Sequence, residues 1–281
     1  MKKVMNSKIL IEQGIPLILT LVIFGILSLG VYLLILVLNQ FSGEDVVMQI
    51  RSVDVIVGMT IYLKTSVDFA IYIGNLMRLY PGWKNRIAIE IGTALGNALG
   101  TMSIMVIWNF FREVKILLAM MIVIAALVLL RMAEEGYEHV LENKKGVPEK
   151  LGKFVKVQLK YLTITNRIFS PILRYILPQM NMKTAIHKTF WGLFIASFSV
   201  PFILGLDDFA GYVSLFNVVN VLGFAVGVLL GHMILNIFLF ISPKRTVAIV
   251  QNSYIAYIGS MAFILLAIWG LYEAIKIILG H

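Results

Sequence analysis

Two short stretches decide how this chain folds: Val67-Asp-Phe-Ala-Ile-Tyr-Ile73 and Asp207-Asp-Phe-Ala-Gly-Tyr-Val213. Laid over one another, they pair Asp68 with Asp208 and Tyr72 with Tyr212. An apolar segment with three glycines four residues apart follows each, Gly92, Gly96 and Gly100 in the first and Gly223, Gly227 and Gly231 in the second. Both segments continue with a polar residue and a methionine, Thr101-Met102 and His232-Met233. One Gly-x-x-x-Gly is a common device for close helix packing. Two doubled copies, each behind an Asp-Phe-Ala, point to internal duplication.

The residues around the duplication say which solvent surrounds it. The 281 residues are 59% hydrophobic and 14% charged, against ~25% charged in soluble domains. A membrane span needs about 20 mostly apolar residues, and seven such runs occur, at 15–38, 55–77, 87–110, 116–132, 190–216, 218–241 and 247–275. The prediction is an all-α polytopic membrane protein with seven transmembrane helices, one N-terminal span plus a 3+3 inverted repeat. Its segments are 1–44, the N-terminal tip and first span; 45–140, the first three-helix repeat; 141–188, a basic amphipathic linker; and 189–281, the second repeat. Three spans per copy is an odd number, so a linker that does not cross leaves the second copy upside down. Many secondary transporters follow that plan and bind substrate near the midplane.

The formal charge of +9 reports topology rather than a nucleic-acid partner, because Lys and Arg gather in cytoplasmic loops. With a cytoplasmic N-terminus the inner side collects Lys2, Lys3, Lys8, Arg78, Lys84, Arg86, Lys244, Arg245 and the ten cations from Lys144 to Lys188. The outer side receives Arg51, Arg112, Lys115 and Lys276. A plasma-membrane protein with its C-terminus outside is therefore expected. Trp83, Trp191 and Trp269 fall near span ends, where interfacial aromatics belong. In the linker, Lys150, Lys153, Lys156 and Lys160 recur at helical spacing among Leu151, Phe154, Val155, Val157 and Leu159. An amphipathic helix on anionic lipid head groups is expected at 150–160, with docking of a cytosolic partner as the alternative. The absence of cysteine excludes disulfides, thiolate metal sites and CxxC redox chemistry. No hydrolase triad, P-loop or dinucleotide fingerprint occurs, so neither an enzyme nor a resident cofactor is expected.

Ionisable residues in mid-span cost about 2.5–3.5 kcal/mol on insertion scales, so each needs a reason. Thr65, Asp68, Tyr72 and Asn75 fall on one stripe of a helical wheel, and Gly205, Asp208 and Tyr212 match it in the second copy. Asp207 is rotated by about 100° from Asp208, so both line one cavity only if the helix breaks there; Pro201, Gly205 and Gly211 would allow that. Lys64 stands one turn before Asp68 and can pair with it, act as a tethered competing cation, or exchange its proton. Asn97, His232 and Asn236 are polar candidates on the glycine helices, although His232 also suits plain interhelical hydrogen bonding. Glu90 is expected as a vestibule charge, and Glu134, Glu135 and Glu273 as solvated residues at span ends. Two carboxylates with amide, hydroxyl and imidazole groups suit a hard or borderline divalent cation. Asp68, Asp208, Asp207, Asn97 and His232 are thus the candidate ligands, with Lys64, Thr65, Tyr72, Asn75, Tyr212 and Glu90 on the substrate path.

Asp68-Phe-Ala, a loop with Pro81 and Arg86, and the glycine helix together resemble the LysE superfamily of membrane exporters, and within it the TerC-like branch. The likeness covers Asp68–Gly100 and Asp208–Gly231. It implies a three-plus-three inverted repeat, export of cations or small metabolites, and Asp68 and Asp208 as substrate-facing acids. Where TerC-like proteins carry Asp-Asn this chain has Asp68-Phe69, and the Glu-x-Gly-Asp-Lys-Thr signature of the manganese/calcium branch is absent. The leading expectation is a secondary transporter exporting a manganese- or calcium-like divalent cation as its substrate. The alternatives are an exporter of an amino acid or small organic cation, or a non-transporting membrane subunit or scaffold. A homo-oligomer is compatible with all three.

Overall fold

The computed structural model describes residues 14–142, 148–176, 189–213, 215–216 and 219–280. The side chains of Pro16, Asp68 and positions 149–150, 172–176 and 204–211 lie outside that description. Among the described residues there are ten helices and no strand: α1 (Ile15–Phe41), α2 (Ser52–Thr65), α3 (Val67–Leu79), α4 (Trp83–Arg112), α5 (Lys115–Glu142), α6 (Glu149–Ile176), α7 (Phe190–Val213), α8 (Val221–Ile241), α9 (Pro243–Val250) and α10 (Ser253–Leu279). Five of them, α1, α4, α5, α8 and α10, are long and apolar enough to cross a membrane, and the bent pair α2–α3 makes six if it counts as one span. In α7 the apolar stretch is Phe190–Ile203. Isoleucine, leucine and valine lie exposed along α1, among them Ile18, Leu21, Val22, Ile26, Leu29 and Leu33. A soluble monomer does not leave an apolar face of that extent in water, whereas lipid solvates it.

The predicted second span is not one helix. It breaks at Ser66, and α2 and α3 meet at a bend of 65°. Unpaired backbone groups are expensive in lipid, and two backbone bonds hold the chain on either side of the break. Ser66 donates to the carbonyl of Tyr62, Ala70 donates to that of Ser66, and the Thr65 hydroxyl also turns onto Tyr62. Hydroxyl side chains that bond back to their own helix in this way often bend it. The predicted fourth span ends at residue 132, but α5 runs on to Glu142. The predicted seventh begins at residue 247, but α9 fills that turn and α10 starts at Ser253, where Asn252 caps the helix by accepting from Tyr254 N–H at 2.9 Å. Gly82, at φ 109°, makes the Pro81-Gly82 turn between α3 and α4.

The chain forms two compact units. The first comprises Met1–Val106, Thr184–Leu206 and Val219–Ile249; the second comprises Ile107–Lys183, Asp207–Val218 and Val250–His281. In the first, the glycine faces of α4 and α8 each seat another helix at backbone distance. A β-carbon on Gly227 would lie 2.2 Å from the Val55 carbonyl oxygen, and one on Gly58 2.2 Å from that of Phe224, so α2 and α8 touch main chain to main chain. One on Gly96 would lie 2.3 Å from the Phe198 carbonyl, and one on Gly92 2.6 Å from that of Phe194, so α4 meets α7 in the same manner.

In the second unit α5 and α10 pack along Gly136, Ala256 and Ser260, while Ala126, Ala133, Phe263 and Ala267 fill the core between them. The basic linker helix α6 adds Val155 and Leu162 to that core. Its polar anchors are Tyr137, which donates to Gln158, and Asn166, which donates to Glu134 at 2.5 Å and to the Leu130 carbonyl at 3.3 Å. The linker therefore buries one face in protein. Phe154, Val157, Tyr161, Ile164 and Ile168 form an exposed apolar stripe at helical spacing, beside exposed Lys153, Lys156 and Lys160. Lys150 falls outside the described side chains, as do the cations at 2, 3, 8, 144, 145, 174, 183 and 188.

The glycine contacts make a prediction. Gly58→Ala and Gly227→Ala should each destabilise the detergent-solubilised protein by about 1–3 kcal/mol, the range for overpacking a filled interface. Gly25→Ala, with nothing within 4 Å of its β-carbon, should leave thermal unfolding unchanged or slightly raised. Equal effects at all three positions would show that the contacts are not rigid.

Candidate functional site

The first unit holds a connected set of polar side chains at the depth of its apolar spans. Glu90, Thr93 and Asn97 recur at i, i+3 and i+7 on α4, and His232 and Asn236 stand one turn apart on α8. These five are buried, with Glu90 1% and Asn236 0% exposed. Tyr62 of α2 and Thr20 of α1 are buried beside them. The Asn236 amide nitrogen lies 2.9 Å from His232 Nε2 and 3.3 Å from the Thr93 hydroxyl. His232 Nδ1 lies 2.7 Å from the Tyr62 hydroxyl. An amide nitrogen can only donate, so with this amide orientation Nε2 accepts, and Nδ1 carries the ring proton and donates to Tyr62. The rings of Tyr62 and Phe69 close over the imidazole at centroid distances of 5.7 and 5.4 Å.

Glu90 is the anomaly of the set. Thr20 and Asn236 lie close enough to stabilise its charge, but neither closes a hydrogen bond with Oε1 or Oε2. Asn236 Oδ1 is equally without a donor. The Thr93 hydroxyl is spent on the backbone carbonyl of Glu90, at 3.0 Å. Asn97 Nδ2 also has no partner, but it stands two turns, roughly 10 Å, further along α4. Glu90 was expected as a vestibule charge; its burial places it inside the helix packing instead.

The other expected site residues divide as follows. Asp68, Asp207 and Asp208 sit on α3 and α7, and their side chains lie outside the described residues. The expected stripe does not survive the bend at Ser66. Thr65 ends α2, Tyr72 is half-buried on α3, and Asn75 is exposed. Helix α7 runs as one element through Val213, without the break that Pro201, Gly205 and Gly211 would allow. Tyr212 is buried and Lys64 partly buried. His232, expected among the metal ligands, has both ring nitrogens engaged by protein. Among the described residues no group of three His, Cys, Asp or Glu is placed to hold a metal ion. At the span ends, Glu135 pairs with Arg131 at 3.1 Å and Glu273 with Lys276 at 3.7 Å, while Glu134 is held by Asn166. Asp54, just before the predicted second span, lies in the first turn of α2, buried against Gly223. Arg51 grips it through two bonds of 2.7 and 2.8 Å, and this pairing raises the Arg51 pKa.

Sequence reasoning did not single out Thr20, Tyr62 or Thr93. The spacing of Glu90, Thr93 and Asn97 carried the signal for Thr93, whereas Tyr62 and Thr20 become polar neighbours only through helix packing. Comparison of the chain with family models, curated proteins and solved structures gives no match, so the site stands on its own chemistry.

A double-mutant cycle tests the network. Tyr62→Phe and His232→Leu each remove one side of the 2.7 Å contact, and their coupling should be about 1 kcal/mol, within the range of interhelical hydrogen bonds in membranes. Strictly additive effects on thermal unfolding would exclude a stabilising bond.

Proposed function

We propose that this chain is a secondary membrane transporter made of one N-terminal span and two inverted three-span repeats, seven spans in all, exporting a divalent cation of the manganese or calcium kind. The observation that carries this reading is the reciprocal seating of the glycine helices. Each packs on the first helix of the other copy: α8 of the second on α2 of the first, and α4 of the first on α7 of the second. One matching pair agrees as well: Gly223 faces Asp54 and Gly92 faces Phe194, and residues 54 and 194 both stand fourteen before their Asp. The α5·α10 pair joins the third helices of the two copies. Unrelated halves have no reason to exchange partners in this pattern, whereas two copies of one ancestral unit do.

On this reading the cation is held by Asp68 and Asp208, which occupy equivalent positions. Their two negative charges match one dication, and the donor class suits hard metals. The N-terminus is cytoplasmic and the C-terminus outside, in a plasma membrane. That orientation turns the lysines and apolar stripe of α6 towards the anionic cytoplasmic leaflet, where each basic residue contributes about 1 kcal/mol.

Two measurements test the proposal. In proteoliposomes, Asp68→Asn and Asp208→Asn should each abolish manganese or calcium flux while leaving thermal unfolding near wild type, because Asn keeps the shape and removes the charge. Normal flux in either variant removes the Asp pair from the mechanism. In intact cells, Ser42→Cys should label from outside and Ser242→Cys should not; the opposite pattern ends the seven-span orientation.

A further inference from the structure

The Glu90 carboxyl is buried, the side chains that act on it, Thr20 and Asn236, are neutral, and neither of its oxygens has a donor. We propose that Glu90 is a proton-binding site, at which one carboxyl oxygen takes up a proton and donates it to the free Oδ1 of Asn236. Three acceptors there lack donors: Glu90 Oε1 and Oε2 and Asn236 Oδ1. The nearby donors of Asn236, Thr93 and His232 are already spent on His232 and Thr93, on the Glu90 carbonyl, and on Tyr62, and the Thr20 hydroxyl closes no bond to either carboxyl oxygen. One proton resolves the deficit, since a protonated carboxyl gains one donor and loses its charge.

The groups around the site narrow the ligand to that proton. The side chains acting on Glu90 are Thr20 from α1 and Asn236 from α8, both neutral; Arg86, one turn earlier on α4, has a buried Nε without a partner but forms no ion pair with the carboxylate. From α7, the residues that meet the Gly92 and Gly96 turns are Phe194, Ser197, Phe198 and Phe202, none of which titrates. His232 is the nearest titratable group along the network, one hydrogen bond beyond Asn236, and Tyr62 of α2 is one further. A resident metal ion would need about six oxygens, and three are free. A dication would also leave one charge unbalanced against a single carboxylate.

The role of that proton rests on the transporter reading: it is the coupling ion, taken up on one face of the membrane and released on the other as the substrate moves the opposite way. The binding itself does not rest on that reading, and the test separates the two. Infrared pH-difference spectra of the full-length protein in lipid nanodiscs should show the C=O stretch of a buried protonated carboxylic acid. Glu90→Gln, which keeps the volume, should abolish that band. Asn236→Leu, which removes the acceptor, should displace the band without abolishing it. In proteoliposomes, Glu90→Gln should lose flux driven by a pH gradient and retain substrate exchange. A band that survives in Glu90→Gln overturns the proposal. So does sodium-dependent thermal stabilisation that is lost in Glu90→Gln with no acid band in the wild type. A wild-type band lost in Glu90→Gln, in a protein that moves no cation, upholds the proton site and refutes the transporter reading.

Discussion

A β-carbon at Gly227 would stand 2.2 Å from the carbonyl oxygen of Val55, and the rest of the first unit depends on its absence. Lipid tails supply no hydrophobic drive for helices to associate, so packing and interhelical hydrogen bonds must hold them together. With bare glycine faces, α2 and α8 come close enough for Tyr62 to reach His232, a bond spanning 170 positions of sequence. The chain of contacts then extends along α8 to Asn236 and across to Thr93 on α4. Larger residues at these glycines would separate the helices, and the interhelical bond of Tyr62 with His232 would be lost in a medium that offers no water. The small residues and the buried polar network are therefore one device: the first makes the distance and the second uses it.

Much of this was legible in the sequence because period and composition are local. The glycine triplets at 92–100 and 223–231 and the long apolar runs needed no tertiary information, and neither did the helical lysine spacing of the linker. The bend at Ser66 was not legible, because hydroxyl residues at 65 and 66 are equally at home in a straight span. Its consequence was large, since a wheel drawn through Thr65 and Asp68 assumes a helix that the chain interrupts. The unbroken α7 is the converse case, in which Pro201, Gly205 and Gly211 allow a break and the chain stays helical. A proline inside a span is tolerated when neighbouring groups satisfy the freed backbone, and sequence cannot tell which outcome packing will choose.

The linker shows the same limit from another side. Its basic and apolar residues predicted an amphipathic helix, but α6 has a third face, lined by Val155, Gln158, Leu162 and Asn166, that binds α5. Two apolar faces on one helix look like a single broad stripe until a partner is known. Tyr137, Glu134 and their linker partners match one another across the fold, and no spacing rule relates them.

Electrostatics ties the two proposed sites together. A site that must be occluded at membrane depth has to be near neutral when occluded, because an unbalanced charge there has no water to solvate it. On the proposed reading the Asp pair would carry two negative charges and meet that condition with a dication. Glu90 carries one and meets it with a proton. On that reading, the carrier with both sites empty would hold three uncompensated negative charges at membrane depth, the state least able to cross. That penalty opposes the unproductive return of an empty carrier without any lid or lock. It would follow from the charge count of the two proposed sites, with Thr20 and Asn236 beside Glu90 both neutral.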